Sequence, residues 1–184
     1  ADVAVTCALI NAVTCMAEGY PQGLAHVSAA WRTSPPPVRS AALRALAEWP
    51  TPTPMADLLK IATDTDDMTE HVLALRGCIR MAGQVAAGTR GDEQNKAIEV
   101  LRSALAASRR LEEKRQVLGA VSAIASPEAL QLVASSLDDA ELSAEATAAA
   151  VKIGLAMCQP AKVLVAFDSR ATELPDWLRT WTDT

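Results

Sequence analysis

The chain has 184 residues, a formal net charge of −5, and a composition that is half apolar yet only 3% aromatic. Its apolar content is chiefly Ala, Leu and Val, which favours closely packed helices over a sheet core rich in aromatic and β-branched residues. The acidic balance argues against a general polyanion binder, and the cleanest apolar run, Ala144 to Met157, is broken by Glu145, Thr147 and Lys152, so it does not read as a membrane span.

In chain order, residues 2–18 read as a helix, stopped at Glu18-Gly19-Tyr20-Pro21. A short helix from about Gln22 to Arg32 follows, with Leu24, Val27, Ser28 and Trp31 on one face. Ser34-Pro35-Pro36-Pro37 suits a helix start, because a first-turn proline loses no helical hydrogen bond. Val38, Ala41, Ala42, Ala45, Leu46 and Trp49 form the next stripe, closed by Pro50. From Thr53 the pattern resumes through Met55, Leu58, Leu59 and Ala62. Asp64-Thr65-Asp66-Asp67 is a turn and cap cluster, with Asp67 and Glu70 at capping-box spacing.

The next helix, about Met68 to Val85, carries Val72, Leu75, Ile79 and Ala82. Ala86 to Asp92, holding Gly88 and Gly91, is expected to be the longest break. Ile98, Leu101 and Leu105 mark one further helix, and Val117, Leu118, Val121 and Ile124 another. Ser126 caps a helix with Pro127 at its first position. Asp138-Asp139 turns the chain into a last strong helix through Leu142, Ala146, Ala149, Ala150, Ile153 and Met157. Lys162 to Phe167 fits a short strand or a helix begun at Pro160 equally well. Trp177 and Trp181, four apart on a final short helix, read either as an aromatic lid over the last repeat or as a docking surface for a following domain.

The segments repeat. Thr53-Pro54-Met55-Ala56-Asp57-Leu58-Leu59 returns as Ser126-Pro127-Glu128-Ala129-Leu130-Gln131-Leu132, and Ala42, Gly77, Gly119 and Ala149 hold equivalent small positions in successive apolar patterns. The unit is roughly 35–40 residues, the length of a helical pair that cannot bury its own apolar face and must stack.

These features resemble HEAT repeats: a proline starting the first helix, an aspartate turn inside the pair, and a small residue in the second helix. Val38-Arg39-Ser40-Ala41-Ala42-Leu43-Arg44-Ala45-Leu46 looks like one second helix, and Glu113 to Val121 and Ser143 to Gly154 look like later copies. The resemblance implies an all-α fold, a right-handed α-α superhelix (solenoid) of about four antiparallel helix pairs. Residues 1–158 would form the array and 159–184 a C-terminal capping segment. The opening residues lack an initiator Met and a basic leader and already run as a helix, so the expectation is a piece of a longer protein. The flavour is that of HEAT-like arrays in large multidomain bacterial proteins, which points to the envelope or to secretion rather than the cytoplasm.

Catalytic chemistry finds no support in the residues. His26 and His71 have no second imidazole or Cys at metal spacing. Asp64, Asp66 and Asp67 lack the central Gly and distant Glu of a calcium loop. No phosphate-binding glycine motif or nucleophile elbow occurs. Cys7, Cys15, Cys78 and Cys158 read as buried small hydrophobes. Eight residues of helix put Cys7 and Cys15 about 12 Å apart, beyond bridging distance. No metal or cofactor is expected.

One asymmetry stands out. The second helices carry Arg39, Arg44, Arg76, Arg80, Lys114, Arg115 and Lys152, whereas first helices and turns carry Asp57, Asp64, Asp66, Asp92, Glu93, Glu99, Glu128 and Asp138. In an array of this kind second helices line the inner surface, so the resemblance implies a mildly basic concave face. Arg39, Arg44, Arg76, Arg80, Arg115 and Lys152 are its candidate partner-binding residues, and Trp177 and Trp181 its terminal docking residues. The alternative is solvated charge with local partners such as Arg44 with Glu48. The expected function is a non-catalytic interaction or scaffold module for a protein or neighbouring domain, without nucleic-acid binding or membrane insertion. The other reading is an accessory domain of a carbohydrate-active (3-keto-disaccharide hydrolase type) or redox enzyme.

Overall fold

Runs of Ala, Leu and Val at helical spacing, cut by Pro, Gly and Asp, fold as the sequence predicts. The computed structural model describes residues 2–17, 19–20 and 22–157, and among these it contains nine helices and no strand. The segments around Lys162–Phe167 and Trp177–Trp181, with the expected capping segment 159–184, lie outside the described residues.

The helices are α1 (Val3–Cys15), α2 (Gly23–Thr33), α3 (Pro36–Ala47), α4 (Met55–Asp64), α5 (Met68–Gly88), α6 (Asp92–Ala107), α7 (Leu111–Val121), α8 (Pro127–Ala134) and α9 (Ser143–Met157). Their starts follow capping chemistry. Asp2 accepts from the Ala4 N–H at 3.0 Å to open α1. Ser126 accepts from the Ala129 N–H at 3.1 Å to open α8, with Pro127 behind it. The matching sequence at Thr53-Pro54 behaves differently: Pro54 is the cap residue of α4, and the Thr53 hydroxyl pairs with that of Thr51 at 3.0 Å instead. The break expected over 86–92 is short. Helix α5 continues to Gly88, so only Thr89, Arg90 and Gly91 separate it from α6. Gly91 takes a left-handed φ of 67° there, which suits a residue without a Cβ.

The chain divides into two compact units, Ala1–Ala82 and Gly83–Thr184, with the division inside α5. In the first, α1, α2 and α3 pack together around Ile10, Val27, Val38, Leu43 and Leu46. Helix α5 approaches α3 so closely that a Cβ on Gly77 would stand 2.7 Å from the Cα of Ala47. The guanidinium of Arg80 donates to the carbonyls of Ala47 and Trp49, each at 2.9 Å, closing the end of α3. The fully buried His71 holds the carbonyl of Ala62 at 2.7 Å through Nδ1, closing the last turn of α4.

In the second unit, α6 packs on α7, α7 on α8 and α8 on α9, while α6 also meets α8 and α7 meets α9. Ile98, Leu101, Val117, Leu118, Leu130, Val133 and Ile153 fill the space between them. Gln94 is buried and donates to the carbonyls of Ala86 (2.7 Å) and Thr89 (3.1 Å), which ends α5. The buried carboxylate of Glu113 accepts from the N–H groups of Arg109 (2.8 Å) and Arg110 (3.1 Å), which starts α7.

The small positions are not equivalent in packing. Ala42 and Ala149 are buried and Gly77 is covered by α3, but Gly119 is exposed, with nothing within 4 Å of where a Cβ would stand. Its neighbour Ala120 makes the close contact, 3.3 Å from the Cβ position of Gly83. A one-residue step turns a helix face by about 100°, enough to move Gly119 from interface to solvent. The two glycines therefore respond to alanine with opposite signs. Gly77→Ala gains helix propensity but drives a methyl into backbone, for a net loss of about 1–2 kcal/mol. Gly119→Ala gains about 0.5–1 kcal/mol with no clash. Urea unfolding midpoints of the two variants check this.

Candidate functional site

Each unit has a concave feature lined by charged side chains of both signs. In the first unit a cleft of ≈ 380 Å³ lies against α2, α3 and α4. Its inner surface includes Trp31, Ile61 and the buried Leu46. The Arg39 guanidinium stacks over the Trp31 ring at 4.6 Å from the centroid. The same group donates from Nη2 to the Glu70 carboxylate at 2.8 Å. Glu70 in turn accepts from the Thr65 hydroxyl at 3.0 Å. This network replaces the expected capping box. Asp67 supplies the cap, accepting from the N–H groups of Glu70 (3.0 Å) and Thr69 (2.7 Å), while its own N–H donates to the Thr65 hydroxyl at 3.2 Å. Ser28, Arg32, Asp57, Lys60 and Asp64 complete the polar lining.

In the second unit a shallower groove of ≈ 240 Å³ runs along α7 and α9. Arg115, Gly119 and Ser122 follow at i, i+4 and i+7 on α7 and its C-cap, and Glu145, Ala148 and Lys152 at i, i+3 and i+7 on α9. Two contacts tie the helices together. Arg115 Nε meets the Glu145 carboxylate at 2.7 Å, and Lys152 Nζ donates to the Ser122 hydroxyl at 3.3 Å. Between them the floor is open at Gly119.

The six basic residues singled out from sequence therefore fall into different environments. Arg80 is engaged in closing α3, and Arg39 is held between Trp31 and Glu70. Arg44 and Arg76 are exposed and form no ion pair among the described residues; the local pair of Arg44 with Glu48 is not made. Arg115 and Lys152 flank the groove of the second unit, while Lys114 beside them pairs with Asp139 at 3.4 Å. Trp177 and Trp181 lie outside the described residues. Sequence reasoning missed the cleft residues Trp31, Arg32 and Lys60. Trp31 belongs to an apolar stripe, and only the i, i+3, i+7 spacing of Asp57, Lys60 and Asp64 signalled a shared polar face.

The remaining chemistry-bearing side chains lie outside the cleft and the groove. His26 is exposed and stacks on Tyr20, with ring centroids 6.2 Å apart. Cys78 is fully buried, and burial pushes its thiol up to about 12. Cys7 is half-buried and Cys15 exposed, so the expectation of buried cysteines holds at Cys78 and not at Cys15; Cys158 lies outside the described residues. Among the described residues no group of three or more His, Cys, Asp and Glu is placed to hold a metal ion, and no helix is long and apolar enough to cross a membrane. Compared with protein-family models, curated proteins and solved structures, the chain matches none of them.

Two outcomes follow from these environments. The N–H groups of Glu70 and Thr69 hold the Asp67 carboxyl below its ordinary 3.8. A depressed folded pKa contributes stability that is present above the unfolded value and lost as pH falls through the folded one. The gap in thermal midpoint between the native chain and Asp67→Asn therefore narrows on acidification through and below 3.8. Under a thiol-specific reagent at neutral pH, Cys15 is labelled in the folded protein and Cys78 only after unfolding, as peptide mapping would show.

Proposed function

We propose that this chain is a non-catalytic helical-repeat module of the HEAT-like kind, which holds an acidic segment of a protein partner or neighbouring domain on the surface of its second helices. The order of contacts supports the repeat reading. Each helix of the second unit touches its successor, and α6 on α8 and α7 on α9 stack like on like, as paired helices must to bury apolar faces they cannot bury alone. In the first unit α1 meets α3 in the same way.

The observation that carries the binding reading is the α7–α9 groove. Two consecutive second helices flank a shallow floor with Lys152 at one end and Arg115, paired with Glu145, at the other, and a helical glycine at its middle leaves room for an incoming main chain. A mid-helix glycine weakens its helix by about 1 kcal/mol relative to alanine, and no packing contact requires it at this position. Arg44 and Arg76 add exposed, uncommitted positive charge to second helices of the first unit. Charge of this sort governs partner choice and association rate more than raw affinity.

Fluorescence anisotropy with a labelled peptide of alternating Glu and Leu tests the reading. The double variant Arg115→Glu, Lys152→Glu weakens binding by at least about tenfold and flattens its salt dependence. Gly119→Leu blocks the groove while leaving the unfolding midpoint near that of the native chain. Equal binding by all three proteins would remove the groove from the proposal.

A further inference from the structure

The cleft of the first unit holds more charge than the fold uses. Arg39 and Glu70 neutralise each other at 2.8 Å, and Thr65 takes the other Glu70 oxygen. That leaves Arg32 and Lys60 of one sign and Asp57 and Asp64 of the other, and none of the four forms an ion pair among the described residues. Lys60 follows Asp57 by three residues and precedes Asp64 by four, spacings at which pairing along a helix is common. It pairs with neither, and Asp64 accepts only from the adjacent Thr63 hydroxyl, at 3.2 Å. The Nε of Arg39 is buried without an acceptor. Beneath these groups lies the apolar surface of Trp31, Ile61 and Leu46.

Charge complementarity narrows what such a cleft takes. A simple anion meets Asp57 and Asp64, and a simple cation meets Arg32 and Lys60. An uncharged apolar molecule would strip water from all four without replacing it, which is costly. A ligand with both charges around an apolar body opposes none of them. The volume, ≈ 380 Å³, falls in the range of small-molecule clefts.

We propose that this cleft binds a free α-amino acid with a large apolar side chain. Its carboxylate is held by Arg32 and Lys60, its ammonium by Asp57 one turn away on α4, and its side chain lies against Trp31 and Ile61. The site uses residues of the first unit alone and is independent of the groove argued above.

Isothermal titration of the full chain decides it, using L-phenylalanine, 3-phenylpropionate (which lacks the amine) and phenethylamine (which lacks the carboxylate). The expected result is binding of the amino acid, with each analogue weaker by about tenfold or more, the loss of one charge-assisted contact. Lys60→Gln and Asp57→Asn each weaken the amino acid by about the same factor. Both side chains are exposed, so the thermal midpoint stays where it was and a folding defect is separable from a binding one. Absence of heat at millimolar L-phenylalanine overturns the proposal. So does an analogue that binds as tightly as the amino acid, or a pair of variants that bind it unchanged.

Discussion

A fold made of short helices has many helix ends, and each end leaves backbone donors or acceptors that water cannot reach once the helices pack. This constraint governs which polar residues lie inside the protein. His71 closes the last turn of α4, Gln94 ends α5, Glu113 starts α7 and Ser126 starts α8, and all four are buried. Arg80 does the same for α3 from a half-buried position. Four of the buried polar side chains thus serve helix ends, their own for Glu113 and Ser126 and a neighbour's for His71 and Gln94. His71, Gln94 and Arg80 each reach from one helix to the end of another, so there the device that satisfies the backbone also fixes how the elements meet.

Once these are assigned, the charges that remain acquire meaning. Arg80 and Glu113 belong to the scaffold, and Arg39 with Glu70 and Thr65 forms a braced network over Trp31. Arg32, Lys60, Asp57 and Asp64 in one unit, and Lys152 in the other, are not needed for any helix end. Side chains left over after the fold's own requirements are met mark the surfaces worth testing.

Stretches that match in sequence do not all behave alike in the structure, and the difference is instructive. Thr53-Pro54 and Ser126-Pro127 match as strings, yet serine caps its helix while threonine turns to the hydroxyl of Thr51. Gly77 and Gly119 share a place in the apolar pattern, yet one faces the backbone of α3 and the other faces solvent. A hydrophobic period is insensitive to a shift of one residue. A helix–helix contact is not, because that shift rotates the side chain by about 100°.

Helix identity was legible from the chain alone. Spacing of Leu, Val and Ala, with Pro, Gly and Asp at the breaks, located nine helices to within a few residues, since those signals act over a single turn. The surplus of basic residues on α3, α5, α7 and α9 was legible too, as a count. What the count could not distinguish is that Arg80 spends its donors on the carbonyls of Ala47 and Trp49 while Arg44 stays free. The cleft over Trp31 was likewise invisible, because Trp31, Arg39, Lys60 and Glu70 come from four successive helices and meet only once those helices pack. Local propensity is written residue by residue, whereas the partner of a long side chain depends on which distant backbone lies within its reach. Tertiary packing alone decides that.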